Sequence, residues 1–437
     1  MSAAPTADRP RPALAPYGFA GVAAAAMVAT LPGRTHGLGL VTEPLLRDFD
    51  LGRVPYAVLN LWATLLGALF CVPCGWLLDR VGVRAVLSVT LLALGGVVVG
   101  MSRAEAGGDA VLLPAVDLAV GGGEWVGVPA GLFVLVLLTR GLGQSALSVV
   151  SLALLGKAAG RTPGPVVGVY SFLVSVGFMA AFGAVKVVLE QGGVDWRTLW
   201  AGIGWTVLGA GGVSALLPLD LTRTTGRDSP RPAAAAGYTL GAALRTPAFW
   251  VFGLATSLYG LIAAGVSLFN QSLLEERGFD RRVFLTISTA APLVGLAANL
   301  GTGWLARHYP LGRLLAAGMV ILAAALLSFP RVDSLAGVYA YAAAMGVAGG
   351  MVTVLFFAVW GQAFGPRHLG QIQGAAQFLT VLASAAGPLL MAASHRAAGS
   401  YTPLFGQLAV AALVLAAAAW FVPMPLPPTP APDGDPR

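Results

Sequence analysis

Charged residues are scarce in this 437-residue sequence. Only 10% of its residues are Asp, Glu, Lys or Arg, whereas 57% are hydrophobic, and the mean hydropathy is +0.79. A soluble globular protein carries about 25% charged residues. Because a water-soluble fold has no core large enough for this share of apolar residues, we expect the lipid bilayer to surround most of the chain.

Other absences exclude several functional classes. No G-x-x-x-x-G-K-[ST] phosphate-binding loop occurs, which argues against an ATP-driven pump. The four histidines lie in separate segments, so the sequence shows no titratable cluster of the kind that a membrane enzyme needs. The polar segment Asp220–Arg245 is too short for the output domain of a receptor. We interpret Cys71 and Cys74 as buried small hydrophobic residues rather than a redox or zinc site, and we expect no metal or other cofactor.

Long apolar segments are what the sequence has in abundance. About 20 apolar residues span the roughly 30 Å hydrocarbon core as a helix, and these segments do not alternate in polarity as barrel strands do. The pattern predicts an all-α membrane protein with twelve transmembrane helices and a Gly-rich loop at Arg103–Gly127. The helices are predicted at Tyr17–Val41, Val54–Leu78, Arg84–Ser102, Val128–Leu155, Pro165–Leu189, Thr198–Leu217, Pro247–Leu274, Val283–Ala306, Leu311–Phe329, Leu335–Phe364, Leu369–Ser394 and Thr402–Phe421.

An internal repeat divides the chain into two halves. A Leu-Leu pair, charges, Phe-Asp and arginine follow the first predicted helix at Glu43–Arg53 and the seventh at Ser272–Arg282. The triplet Gly-Trp-Leu occurs at Gly75–Leu77 and again at Gly303–Leu305. Parallel repeats in membrane proteins build paired bundles with a small-molecule site near the midplane. The predicted organisation is an N-terminal arm at 1–16, a six-helix bundle at 17–217, a linker at 218–246, a second six-helix bundle at 247–421 and a Pro-rich, disordered tail at 422–437.

The distribution of charge predicts the orientation of the chain. Twelve helices put both termini on one side, which carries 14 basic and six acidic residues, against ten and 13 on the other. Since cytoplasmic loops are rich in Lys and Arg, both termini, the arm and the linker are expected in the cytoplasm. We expect a monomer in the plasma membrane, or in the inner membrane of a bacterium. The net charge of +7 is spread over many loops, which does not favour nucleic-acid binding.

A fixed charge pattern marks the turn between the second and third predicted helices. Its residues are Gly75, Leu77, Asp79, Arg80, Gly82 and Arg84. The pattern resembles the loop signature of the major facilitator superfamily, G-x-L-x-D-R-x-G-R, although the last base stands one residue late because Val83 occupies the usual position. The resemblance to this superfamily covers about residues 17–421.

Four shorter stretches indicate which group within the superfamily the sequence resembles. They are Leu31–Gly37, Arg140–Gln144, Phe249–Trp250 and Ala386–Pro388. These stretches are similar to the oxalate:formate antiporter and monocarboxylate transporter group. The resemblance implies a secondary transporter that works by alternating access, proton-coupled or by exchange, with a monocarboxylate or dicarboxylate as substrate. The predicted helices Val283–Ala306 and Leu369–Ser394 lack the base with which that group holds carboxylates. A neutral metabolite or a drug-like compound is therefore the alternative substrate.

Two arginines are predicted within the membrane, where a charge is costly and is a functional candidate. Arg140 lies about halfway along the fourth predicted helix, in an R-x-x-x-Q pattern with Gln144 that the superfamily uses near its coupling path. Arg34 follows Pro32 and Gly33, which can bend the first predicted helix into a cavity. Both are predicted to bind substrate. The alternatives are a structural ion pair or hydrogen bond for Arg140 and snorkelling to the outer surface for Arg34.

Further polar residues complete the predicted site. The resemblance implies that Asp79 faces a helix N-terminus of the other half in a gating charge cluster with Arg80 and Arg84; a plain topogenic loop is the alternative. His36 is a candidate coupling residue because imidazole titrates near neutral pH, or it is an interfacial side chain. Uncharged polar residues in the helices are candidates for lining the substrate cavity; the alternative is that they form hydrogen bonds between helices. These candidates are Asn60, Gln144, Asn270, Asn299 and Gln377.

Overall fold

Apolar helices make up most of the protein. The computed structural model describes residues 15–104, 116–121, 124–159, 163–191, 193–217, 219 and 237–425. Within these residues, ten helices are long and apolar enough to cross a membrane. Two shorter apolar helices, Pro16–Val28 and Leu293–Leu305, lie where the first and eighth spans are predicted. The helical, multi-span fold is therefore confirmed, while the number twelve remains a prediction.

The N-terminal half comprises the described residues up to 219. A 3₁₀ turn at Leu31–Gly33 follows its first helix, and a π-helical segment at Arg140–Leu147 lies between the helices that end at Thr139 and begin at Ser148. Its α-helices are α1 (Ala15–Val28), α2 (Thr35–Gly39), α3 (Thr42–Asp48), α4 (Arg53–Ala68), α5 (Cys71–Val81), α6 (Val83–Arg103), α7 (Ala130–Thr139), α8 (Ser148–Ala159), α9 (Pro163–Gln191) and α10 (Trp196–Leu216).

The C-terminal half begins with a short helix at the end of the predicted linker. Thr246, Asp280 and Ser334 each cap the helix that follows by accepting a hydrogen bond from a backbone N–H three residues later. A further 3₁₀ turn lies at Phe329–Arg331. The α-helices are α11 (Leu240–Leu244), α12 (Pro247–Glu276), α13 (Arg281–Leu305), α14 (Leu311–Ser328), α15 (Leu335–Phe364), α16 (Leu369–Ala398) and α17 (Thr402–Phe421).

The prediction of one continuous helix over Tyr17–Val41 is wrong. The helix ends at Val28, and Arg34 has an extended backbone (φ −87°, ψ 151°) before α2 begins. Pro32 has no N–H to donate to the preceding turn, which interrupts the helix. A Cβ atom on Gly33 would lie 2.5 Å from the carbonyl oxygen of Thr139, so only glycine allows this close approach to α7. Hydropathy predicted the apolar segment and missed its break.

Two other predicted spans contain irregular turns. The second, Val54–Leu78, consists of α4 and α5, because Pro73 lacks the N–H that would bond to the carbonyl of Leu69. Residues Pro55–Val81 nevertheless form one candidate span. The fourth predicted span contains the π-helical segment. Such segments occur in helices frequently at functional positions.

The prediction of a loop over Arg103–Gly127 is wrong in its second part. Val116–Gly121 (β1) pairs antiparallel with Glu124–Val128 (β2), and this hairpin contacts α4. Valines alternating with other residues on both sides of a Gly-rich turn favour a hairpin. Residues 105–115, 122 and 123 of that prediction lie outside the described residues, as do most of the predicted arm, linker and tail.

Glycines permit the closest approach between the two halves. A Cβ atom on Gly75 of α5 would lie 2.3 Å from the carbonyl oxygen of Gly370 in α16, and one on Gly370 would lie 2.6 Å from that of Gly75. One turn further along α16, a Cβ atom on Gly374 would lie 2.6 Å from the carbonyl oxygen of Cys71. Small residues let helices in a membrane pack backbone against backbone. We call this end of the molecule the inner end, because the charge distribution predicts that it faces the cytoplasm.

Replacing Gly75 by alanine should push α5 and α16 apart, because the added methyl group would overlap the backbone of Gly370. We expect a loss of roughly 1–3 kcal/mol, the usual cost of overpacking, measured as a lower Tm of the purified protein in detergent. The matched control is Gly96→Ala in α6, where an added Cβ atom meets nothing within 4 Å. Equal Tm values for the two variants would contradict the contact.

Candidate functional site

Arg140 is buried where α7 meets the π-helical segment, with 3% of its surface exposed. Its guanidinium donates hydrogen bonds to Thr35 Oγ1 at 2.8 Å, Gln144 Oε1 at 2.9 Å and Asn60 Oδ1 at 2.9 Å. No carboxylate among the described residues pairs with it. Three neutral oxygens from three segments therefore solvate Nη1 and Nη2, while Nε is buried without a hydrogen-bond partner. The predicted site residues Arg140, Asn60 and Gln144 belong to one network.

The break after α1 and the π-helical segment face each other inside the protein. A Cβ atom on Gly143 would lie 3.0 Å from the Cα atom of Gly33, and one on Gly33 would lie 2.8 Å from the backbone nitrogen of Gln144. Irregular backbone at membrane depth is tolerated only where protein covers it or where it lines a cavity. The two irregular turns therefore bring polar backbone and the side chains of Arg34 and Arg140 into the same region.

Arg34 is half-buried and has poorer partners than Arg140. Its Nε donates to Thr30 Oγ1 at 2.8 Å, and its Nη2 lies 2.9 Å from Met27 Sδ and 3.3 Å from Ser148 Oγ. Its guanidinium carbon lies 5.3 Å from the ring centroid of Phe178, a cation–π contact. A thioether is a weak acceptor. Like Arg140, Arg34 has no carboxylate partner in the described part of the chain. Its Nη2 makes only weak contacts, with the Met27 thioether and with Ser148 Oγ at 3.3 Å.

The remaining predicted site residues are dispersed. Asn299 of α13 is 5% exposed and donates from Nδ2 to Ser175 Oγ of α9 at 3.2 Å, which connects the two halves. Gln377 in α16 is buried and Asn270 in α12 is half-buried, and neither hydrogen-bonds to the two arginines. His36 lies in α2, but its side chain is outside the described residues.

The sequence prediction missed Thr35, Ser148, Phe178 and Ser175. Ser148 follows Gln144 by four residues, and Gln144 follows Arg140 by four. Since residues four apart share a helix face, this spacing was a signal for Ser148. No signal in the sequence identifies Phe178 or Ser175, because their positions depend on how α9 packs against α1 and α13.

Asp79 joins the two halves at the inner end. Its Oδ1 accepts a hydrogen bond from the backbone N–H of Gly370 at 3.1 Å, and its Oδ2 accepts one from that of Gln371 at 3.0 Å. Lys157 Nζ of α8 lies 3.5 Å from the same carboxylate, whose side chain is 5% exposed. The two amides belong to the first turn of α16, where helical N–H groups lack partners and the helix dipole favours an acid.

Arg80 and Arg84 have different surroundings from Asp79. Arg80 is exposed, with its guanidinium carbon 4.0 Å from the ring centroid of Trp76 on the same helix. Arg84 Nε donates to the carbonyl oxygen of Ala215 at 2.7 Å and so caps the C-terminal end of α10. Gly82 (φ +97°) allows the immediate turn from α5 to α6. Asp79 is the one of these three charged residues whose side chain has a described hydrogen bond to the C-terminal half.

Replacing Asp79 by alanine should expose the first-turn amides of α16, because both hydrogen bonds to the carboxylate are lost. A hydrogen bond to a charged group contributes roughly 1.5–3 kcal/mol, so we expect at least a roughly tenfold faster deuterium exchange in the peptide that contains Gly370 and Gln371. Asp79→Asn, which keeps one acceptor, should be intermediate. Arg80→Gln is the control in the same turn and should leave the exchange rate unchanged; unaltered exchange in Asp79→Ala would refute the capping role.

Replacing Arg140 by lysine should destabilise the protein although the charge is kept. An ammonium group cannot reach three acceptors that are arranged around a planar guanidinium, so we expect a loss of roughly 2 kcal/mol or more, seen as a lower Tm. Arg34→Lys is the matched control and should change the Tm much less, because Arg34 has one short bond to an oxygen, Thr30 Oγ1, whereas Arg140 has three. Similar Tm losses in the two variants would argue against different roles for the two arginines.

Comparison with known proteins places this arrangement in a family. The sequence model of the Major Facilitator Superfamily matches residues 18–388 and 266–437. The fold is similar to the crystal structure of the superfamily transporter FucP in the outward conformation, with a TM-score of 0.65 and 14% identity over 93% of this chain and 99% of that chain. It is also similar to the human organic anion transporter MFSD10 (TETRAN), with a TM-score of 0.60 and 17% identity over 94% and 100%.

A variant of the E. coli fucose:proton symporter FucP gives a TM-score of 0.65 and 14% identity over 93% of this chain and 98% of that chain. No curated protein matches the sequence significantly. At these identities the solved structures establish the fold alone. Because the family model matches most of the chain and the fold agrees with it, the chain belongs to the Major Facilitator Superfamily of membrane transporters.

Proposed function

We propose that this protein is a secondary active transporter of a small organic anion, such as a monocarboxylate or a dicarboxylate. The observation that carries the proposal is the surroundings of Arg34. This guanidinium is half-buried among apolar helices, lacks a carboxylate partner within the described residues and has a thioether as one of its hydrogen-bond partners. A substrate carboxylate would form charge-assisted hydrogen bonds with it and balance its charge.

Arg140 has a supporting role in this proposal. Its Nη1 and Nη2 already donate to Thr35, Asn60 and Gln144, so a substrate would have to displace these oxygens to reach them, and its Nε is buried without a hydrogen-bond partner. Its charge still acts on the same region, because Thr35 directly follows Arg34. We assign Arg34 as the substrate-binding residue and Arg140 as a positioning residue that holds the broken first span against α4 and α7.

The proposed transport mechanism is alternating access between two six-helix bundles. Contacts between the halves include Asp79 with the first turn of α16 and Gln373 Nε2 with the carbonyl oxygen of Leu152 at 3.1 Å. These contacts support a state that is closed at the inner end and must separate for substrate release there. Twelve spans, cytoplasmic termini, a monomer in the plasma or bacterial inner membrane, and coupling to protons or exchange are parts of the same proposal.

A neutral solute is the second candidate. The described residues of α13 and α16 contribute buried amides such as Asn299 and Gln377, and a sugar binds through such groups without needing a charge. One of the similar structures is a fucose:proton symporter. The two candidates differ in their dependence on Arg34, since only an anion requires its charge.

Uptake into proteoliposomes with an imposed pH gradient tests the proposal. The panel contains radiolabelled monocarboxylates, dicarboxylates and a neutral sugar. Arg34→Gln should raise the KM for the transported carboxylate about tenfold to a hundredfold, the equivalent of one or two charge-assisted hydrogen bonds, and Arg34→Lys should have a smaller effect.

Arg313→Gln is the control for a surface arginine, because Arg313 is exposed on α14 beside Trp420, and it should leave carboxylate uptake unchanged. Uptake of the sugar alone, or carboxylate uptake that is indifferent to Arg34→Gln, would reject the organic-anion proposal in favour of the neutral solute. Uptake that requires an acid preloaded inside the vesicle rather than a pH gradient would identify exchange as the coupling.

A further inference from the structure

Asn299 carries a buried oxygen that has no hydrogen-bond partner. Its Nδ2 donates to Ser175 Oγ at 3.2 Å, whereas its Oδ1 is buried and unpaired. Burying a carbonyl oxygen without a donor costs roughly 1–3 kcal/mol. Such atoms are few in native proteins, and each requires a physical explanation. A donor supplied by the transported molecule is one such explanation.

The position of Asn299 connects it to Arg34 through α9. Ser175 precedes Phe178 by three residues, so both side chains lie on one face of α9, with Cβ atoms roughly 5–6 Å apart. Phe178 is the ring that packs under the Arg34 guanidinium. Closer to the inner end, a Cβ atom on Gly168 would meet the Cα atom of Gly303 at 3.5 Å, which closes the seam between α9 and α13. Asn299 therefore lies between this closed seam and the Arg34 region.

We propose that Asn299 recognises a hydroxyl group on the substrate, so that the transported anion is a hydroxycarboxylate. The carboxylate binds Arg34 in the N-terminal half, and the hydroxyl donates to Asn299 Oδ1 in the C-terminal half. This inference rests on the proposed function and specifies its substrate class. An ammonium group would also donate to Oδ1, but two cations without a carboxylate among the described residues disfavour a cationic substituent.

The position of Asn299 links recognition to opening. Because Oδ1 is buried at the seam, a hydroxyl reaches it only as α9 and α13 begin to separate and the bond to Ser175 loosens. A hydroxycarboxylate then replaces the bond between Asn299 and Ser175 with its own bonds to Asn299 in one half and Arg34 in the other. An unsubstituted acid provides the bond to Arg34 and leaves Oδ1 unpaired.

The test compares acids of equal chain length that differ in one substituent. Uptake of lactate, pyruvate and propionate is measured in proteoliposomes, and 3-hydroxybutyrate, acetoacetate and butyrate form a second series. In each series we expect Vmax/KM for the hydroxy acid to exceed that for the keto and unsubstituted acids about tenfold, as for one hydrogen bond in a buried site. A keto oxygen accepts hydrogen bonds and cannot donate to Oδ1.

Two variants isolate the amide. Asn299→Leu, which is close in shape, should abolish the preference, so that Vmax/KM becomes equal for the hydroxy acid and the unsubstituted acid. The Tm of the purified variant shows whether it folds. Ser175→Ala is the matched control, since it removes the partner of Nδ2 and leaves Oδ1 in place; the hydroxy-acid preference should persist.

The outcomes separate this inference from the proposed function. If no carboxylate is transported, or if Arg34→Gln changes nothing, the proposed function fails. If carboxylates are transported with a dependence on Arg34 while hydroxy and unsubstituted acids are equal, or if Asn299→Leu lowers all acids alike, only the role of Asn299 is overturned. A preference for the keto acid would also overturn this role, because a keto oxygen accepts a hydrogen bond and would bind Nδ2 of Asn299 rather than Oδ1.

Discussion

The high cost of an ion in a bilayer constrains the structure around Arg140. A charge in the membrane interior must be paired or solvated by the protein, and here three neutral side-chain oxygens solvate it. Thr35 reaches the guanidinium only because the first span breaks at Pro32 and Gly33. Gln144 belongs to the π-helical segment that begins at Arg140 itself. The irregular turns in two spans thus bring together the oxygens that a regular pair of helices would keep apart.

The same constraint is met less fully at Arg34, and this difference separates the two arginines. Both are cations without a carboxylate partner among the described residues, so charge alone does not distinguish them. The acceptors do: Arg140 donates to three oxygens at 2.8–2.9 Å, whereas Arg34 donates to one, Thr30 Oγ1 at 2.8 Å, and its Nη2 contacts a thioether and a hydroxyl at 3.3 Å. This difference supports the proposed roles, in which Arg140 stabilises the fold and Arg34 binds the anion.

Local features of this fold were predictable from sequence, and contacts between segments were not. Hydropathy depends on consecutive residues, so it located the apolar spans, and the resemblance pointed to Asp79 opposite a helix N-terminus. Hydropathy ignores backbone angles, which is why the first span was predicted as continuous. The acceptors of Arg140 come from three separate segments, and the sequence does not show that they meet. Since no helix centre holds an acid to pair with Arg140, the sequence analysis interpreted it as a substrate-binding residue. Ser175 and Phe178 become relevant only once α9 packs against α1 and α13.

The contacts between the halves are stronger at the inner end than farther from it, and this difference affects how the halves separate in the proposed mechanism. At the inner end, Asp79 makes two hydrogen bonds with an ionised acceptor, which are roughly twice as strong as neutral ones. Farther from the inner end, Asn299 and Ser175 share one neutral bond. A ligand shifts a conformational equilibrium only by its difference in affinity for the two states. In the proposed mechanism, a hydroxycarboxylate pairs with Asn299 only when α9 and α13 separate, so it binds the separated state more tightly and favours it. Without substrate, the bonds of Asp79 keep the inner end closed.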